Sequence, residues 1–224
     1  MIKTYLDQDK KIIEAGTAGG RILLEMKKLG FKFLYGYDFV PSFIEVAKKK
    51  DPSGSICFEV ENAINLSYKD CSFEQIIYLQ QIICVIEEEE NRLKATEEAY
   101  RILRNGGTAL FSFLSFEARC RTPIYIAYLA YLRTFRFIFG KNLSIQQIPY
   151  LKHDGKPNLY SLLDRSPHVY SYTIEEAHQL LKKAGFKIVA IGSSYQIGQE
   201  KMHTSVETLK NEPIEGMIYF VCEK

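Results

Sequence analysis

The stretch from Lys11 to Ala47, KIIEAGTAGGRILLEMKKLGFKFLYGYDFVPSFIEVA, constrains this chain more than any other. Ile12, Ile13 and Ala15 form the short apolar run of a buried parallel strand. Gly16-Thr17-Ala18-Gly19-Gly20 interrupts it, and glycine admits positive φ and close backbone approach to a ligand. Ile22, Leu23, Met26 and Leu29 recur at helical spacing, and Gly30 stops that helix. Phe33 to Tyr37 reads as a second strand with Asp38 just past its end. The unit is βαβ, with its turn at a nucleotide-binding position and its carboxylate where a ribose would lie.

The rest of the chain extends this pattern. Pro41 opens a helix with Phe43, Ile44 and Ala47 inward, and Lys48-Lys49-Lys50 closes it at the negative dipole end. Strands follow at Ser55–Val60 and Phe73–Leu79, then a helix with Leu93, Ala99, Ile102 and Leu103, ended by Asn105-Gly106-Gly107. Glu87 to Glu90 read as solvated acids at that helix start rather than as a site. A fifth strand spans Thr108–Leu114. A capping box (Thr173, Glu176) starts the next helix, and strands at Phe186–Ile191 and Met217–Cys222 complete seven. Alternating strands and helices predict an α/β fold, a doubly wound, mostly parallel seven-stranded sheet. No helical pattern separates the last two strands, so an antiparallel last strand is expected.

At 224 residues the chain suits a single domain with one insertion, at about 115–172. A net charge of +2 gives no strong pull toward nucleic acid. The five cysteines (Cys57, Cys71, Cys84, Cys120, Cys222) lack CxxC spacing and read as mostly buried thiols in a reducing, cytoplasmic compartment. No signal peptide or membrane span is expected.

The glycine turn narrows the cofactor. A dinucleotide fingerprint needs glycine at the first, third and sixth positions, where this chain has Gly16, Ala18 and Arg21. A P-loop fails because no Gly-Lys-Ser/Thr follows. Glu14 to Arg21, Asp38, Asn62-Ala63, Asp70 to Glu74 (DCSFE), Arg101 to Gly107 (RILRNGG) and Thr173 to Phe186 instead resemble, in order, the motifs of the class I S-adenosylmethionine-dependent methyltransferases with a methyltransferase-11 type domain. The resemblance implies a Rossmann-like sheet, S-adenosyl-L-methionine as cofactor and methyl transfer as the activity. It implies cofactor contacts from Glu14, Gly16, Thr17, Ala18, Gly20, Asp38, Phe39, Asn62, Ala63 and Gln80. Ala18 and Asn62 depart from the family's glycine and aspartate.

The acceptor side is less defined. The insertion from Pro123, TPIYIAYLAYLRTFRFIFG, is apolar nearly all round and suggests a helical lid with Tyr125, Tyr128, Arg133 and Arg136 as substrate contacts. Gln81 and His168 are the candidate catalytic groups; His153, His178 and His203 are weaker. No metal cluster is expected, and no Asn/Asp-Pro-Pro-Tyr follows the fourth strand. The expected acceptor is a small apolar or aromatic molecule methylated on a hydroxyl or carboxylate. A weakly catalytic cofactor-binding protein is the alternative, and an atypical nicotinamide enzyme a third. The aromatic insertion also leaves room for weak membrane-surface contact, and the oligomeric state stays open.

Overall fold

In a computed structural model, which describes residues 1–153, 156–165 and 167–224, the chain forms a seven-stranded sheet sandwiched by helices. After a single turn α1 (Ile2–Tyr5), the first half alternates β1 (Lys11–Ala15), α2 (Arg21–Lys28), β2 (Phe33–Asp38), α3 (Pro41–Lys50), β3 (Ile56–Val60) and β4 (Phe73–Tyr78). Then come a short 3-10 turn (Ile83–Val85), α4 (Glu89–Ile102) and β5 (Leu103–Leu114). The insertion holds α5 (Phe116–Cys120), α6 (Pro123–Ile138), β6 (Gln147–Pro149), the hairpin β7 (Lys152–His153) and β8 (Lys156–Pro157), a 3-10 segment Leu159–Leu163 and β9 (His168–Tyr170). The chain closes with α7 (Ile174–Lys183), β10 (Lys187–Ser193), α8 (Ser194–Gly198), α9 (Val206–Lys210) and β11 (Met217–Glu223).

The strand order is β10-β11-β5-β4-β1-β2-β3. The pairs from β5 through β3 are parallel, and β11 runs antiparallel to both β5 and β10. The order reverses beside β1, and there the strand ends open the crevice that a doubly wound sheet offers to ligands. Because side chains alternate across a strand, neighbours serve opposite cores: Ile13 and Ile76 pack under α4 and α7, Ile12 and Ile77 under α2 and α3. Both faces are covered, which is why these strands read as continuous apolar runs.

Several local expectations are corrected. The fourth helix ends at Ile102, not at the glycines, because buried Leu103 already pairs with Phe73. Gly106 and Gly107 lie within β5 and bond to Lys224 at the end of β11. Phe43 faces outward while Ile44 and Ala47 go inward, and on α4 it is Arg92 that is buried and Leu93 half-buried. Cys57, Cys71 and Cys120 are exposed, leaving Cys84 and Cys222 buried. Two short helices, α8 and α9, separate the last two strands, which nevertheless pair antiparallel. The capping box on α7 forms as expected from Thr173 and Glu176. Among the described residues, no helix is long and apolar enough to cross a membrane.

Candidate active site

The glycine turn sits at the reversal point of the sheet. Gly16 has φ +60, and a Cβ there would lie 2.2 Å from Ile82 Cδ1, so the turn runs directly against the segment after β4. Gly20, at φ +74, approaches Phe58 Cζ so closely that a Cβ would come within 2.8 Å of it. Ala18 keeps a left-handed φ of 46 although it carries a methyl group, a conformation costing roughly 1–2 kcal/mol. Three bonds hold it there: Thr17 N–H to the Tyr37 carbonyl (2.9 Å), Ala18 N–H to Asp38 Oδ2 (3.0 Å), and Thr17 Oγ1–H to Glu14 Oε2 (2.7 Å).

Asp38 is therefore first an anchor. Its Oδ1 also accepts the Val40 N–H at 3.0 Å, and the residue is buried. Each carboxylate oxygen keeps a second lone pair for a ligand hydroxyl. Phe39 next to it is 73% exposed, with Phe43 exposed one turn on, so an aromatic face stands open beside Asp38. Asn62 Oδ1 caps its own turn by accepting the Ile64 N–H at 3.2 Å, and Ala63 is half-buried behind it.

Glu14 is the most perturbed acid near the turn. Burial pushes its carboxyl up to about 7; Thr17 and Arg21 pull it down less strongly, and Asp38 adds to the rise. Among the described residues no lysine or arginine comes within ion-pair distance of it. A buried carboxyl that lacks a cation at this turn complements a cationic ligand.

Beyond β4 the backbone is strained twice in succession: Gln80 has φ 59 and Gln81 φ 64. Gln80 is exposed and Gln81 half-buried just past the tip of β4. The 3-10 turn that follows is tied to the end of β5 by the Leu114 N–H on Cys84 Sγ, 3.3 Å. Helix α5 starts there, capped by Ser115. Its Arg119 went unnoticed in the sequence. The guanidinium lies beside Cys84 and Tyr150, 5.5 Å from the Tyr125 ring, and donates to Ser171 Oγ at 2.6 Å. No carboxylate pairs with it among the described residues, and burial lowers its pKa.

The insertion residues divide differently from expectation. Arg136 is only 4% exposed and spends four of its five donors inside the insertion: two bonds to Asp164 (2.9 and 2.8 Å) and one each to the Ser144 and Gln147 carbonyls. It is a strut of the insertion, buried against Asp164 rather than open to an acceptor. Arg133 is exposed and lines an open depression formed wholly by residues 133–145. Tyr128 is spent on the Ser161 carbonyl (2.9 Å), whereas Tyr125 faces Arg119. His168 Nε2 lies 2.9 Å from Asp164 Oδ1, and Arg136 holds Asp164 down at about 2. Asp164 can then only accept, so Nε2 carries the proton and Nδ1 is the base-capable nitrogen. His168 shares a cavity of about 120 Å³ with Cys84 and Gln147, and Gln81 is not part of its wall. The His153 side chain lies outside the described residues. Among the described residues no His/Cys/Asp/Glu cluster could hold a metal ion.

The turn, the left-handed backbone at Gly16 and Gly20, the buried Glu14 and the Asp38–Phe39 pair lie together at the reversal point and could hold a cationic nucleoside. Residues 13–111, which contain every one of these groups, match the family model described as a methyltransferase domain. Over that stretch the chain resembles a methyltransferase domain. The chain also superimposes on an S-adenosylmethionine-dependent methyltransferase from Methanosarcina mazei, with a TM-score of 0.71 at 20% identity over 100% of this chain and 96% of that one. A possible histamine N-methyltransferase from Thermotoga maritima gives a TM-score of 0.61 at 18% identity, over 100% and 86%. The [4+2]-cyclase SpnF gives 0.60 at 15%, over 98% and 76%. At these identities the likeness is one of fold. No curated protein matches the chain. Within the matched stretch, the residues that could hold S-adenosylmethionine are buried Glu14 for its positive charge, Asp38 for the ribose hydroxyls and exposed Phe39 for the adenine.

Proposed function

We propose that this methyltransferase acts on an oxygen of a small apolar or aromatic acceptor that carries a negative charge, in the reducing interior of the cell. The observation that supports this is Arg119. It is a half-buried guanidinium with no carboxylate partner among the described residues, mounted on the first helix after β5 and flanked by Tyr125 and Tyr150. Arginine presents a planar fork suited to a carboxylate or phenolate, and the tyrosines supply an apolar wall.

Bound S-adenosylmethionine supplies a methyl group on a sulfonium, already electrophilic. The protein's task is then alignment. Glu14 and the turn fix the donor end, Asp38 and Phe39 fix its nucleoside end, and Arg119 holds the acceptor so that the attacking oxygen lies in line. Orientation of this kind is worth up to about 7–11 kcal/mol of barrier. An acceptor carboxylate is ionised at neutral pH and needs no base; a hydroxyl acceptor would draw on a base such as His168. The Gln80 and Gln81 amides offer hydrogen bonds to the acceptor at the crevice mouth.

A methyl-transfer assay over carboxylate, phenol and amine acceptors tests the reading. Carboxylates or phenols should be methylated, and Arg119→Met should raise the acceptor KM about tenfold or more while cofactor Kd stays unchanged. Amines as the preferred acceptors would refute it. A second reading, a weakly catalytic binding protein, is favoured by the crowding of the turn by Ala18 and Ile82. Cofactor binding without turnover on any acceptor would favour that reading.

A further inference from the structure

Helix α6 presents two faces. Leu129, Leu132 and Arg136 point inward and are buried. The outward face exposes large apolar residues near both ends: Ile124 (75% exposed) and Ile126 at the start, Phe137 (88%) and Ile138 at the end. The 3-10 segment Leu159–Leu163 abuts this face through Tyr131 Oη–H on the Leu162 carbonyl and Tyr128 Oη–H on that of Ser161, and it adds exposed Leu159 and Leu162. Large apolar side chains exposed together mark a contact region.

Charge indicates what covers it. Residues 115–172 contain eight lysines and arginines against three acids, a net of +5, whereas the whole chain is +2 and the remainder therefore −3. Between Glu117 and Asp154 no acidic residue occurs, and Asp164 is buried against Arg136. The outward face of α6 carries exposed Arg133 and no acid to offset it. Docking two copies through this face would set like charge against like charge. An anionic lipid interface supplies both an apolar medium and opposite charge. We propose that the α6 face, with Leu159–Leu163, seats the protein on an anionic membrane surface without spanning it.

The test is co-sedimentation of the full chain with vesicles of phosphatidylcholine alone or mixed with phosphatidylglycerol. Partition should be at least about tenfold higher on the mixed vesicles and should fall with added salt. The double variant Phe137→Ser/Ile138→Ser, at exposed positions, should lose that binding while melting at the wild-type temperature. Equal partition on both vesicle types, or none on either, overturns the proposal. So does a dimer in vesicle-free sedimentation velocity that the double variant dissolves, since that would make a second copy the occupant.

Discussion

Glu14→Gln should make the cofactor-free protein more stable at pH 8 and leave it nearly unchanged at pH 4.5. In the folded chain the Glu14 carboxyl titrates near 7, against an ordinary value of 4.5, chiefly because it is buried. The folded state thus keeps a proton that the unfolded chain has already released between pH 4.5 and 7. Stability falls as pH rises through that window, and the full loss is present above it. A displacement of about 2.5 units corresponds to roughly 3 kcal/mol. Glutamine carries no charge and can still accept the Thr17 hydroxyl through its Oε1, so it escapes the loss without abandoning the bond. For a chain of this size, that difference amounts to a melting shift on the order of 5–10 °C at pH 8. Thermal unfolding of both proteins across pH 4.5–8 reads it directly. A difference that does not change with pH, or a variant less stable at pH 8, would refute the assignment of a protonated, uncompensated Glu14.

Other outcomes follow from the same geometry. Cofactor binding near pH 7 should release a proton from Glu14, visible as a binding heat that depends on buffer ionisation enthalpy, and the release should vanish in Glu14→Gln. Ala18→Gly should stabilise the protein by about 1 kcal/mol in urea unfolding, because the left-handed φ no longer meets a Cβ. Arg136→Met should destabilise by about 3–5 kcal/mol, since it leaves a buried Asp164 without its main partner. Because Asp164 is held at about 2 in the folded chain, the stability it contributes should persist above pH 4 and be lost as the pH falls toward 2.

The sheet and its central βαβ unit were legible because they rest on local rules: apolar runs for buried strands, helical spacing, glycines at left-handed turns and a capping box. Sequence could also place Asp38 at the strand end. It could not show that both carboxylate oxygens hold the turn and the start of α3, because those bonds depend on how the β2 end meets the glycine turn. The insertion was the harder region. Arg136 and Asp164 lie 28 residues apart, and no local pattern reveals that one consumes the other. Arg119 escaped notice because it sits in one turn of helix without periodicity. The signals were its position just past β5 and the absence of any acid in the residues that follow. Phe43 was misplaced for a comparable reason: helical spacing alone cannot distinguish a core aromatic from one left open beside Asp38.

Calorimetric titration with S-adenosylmethionine, on wild type and Asp38→Ala, addresses the central assignment most directly. The cradle of Glu14, the glycine turn, Asp38 and Phe39 predicts one binding site per chain, weakened about tenfold or more when the carboxylate is removed from a folded variant. No binding by the wild-type protein, or an unchanged affinity in the folded variant, would contradict it.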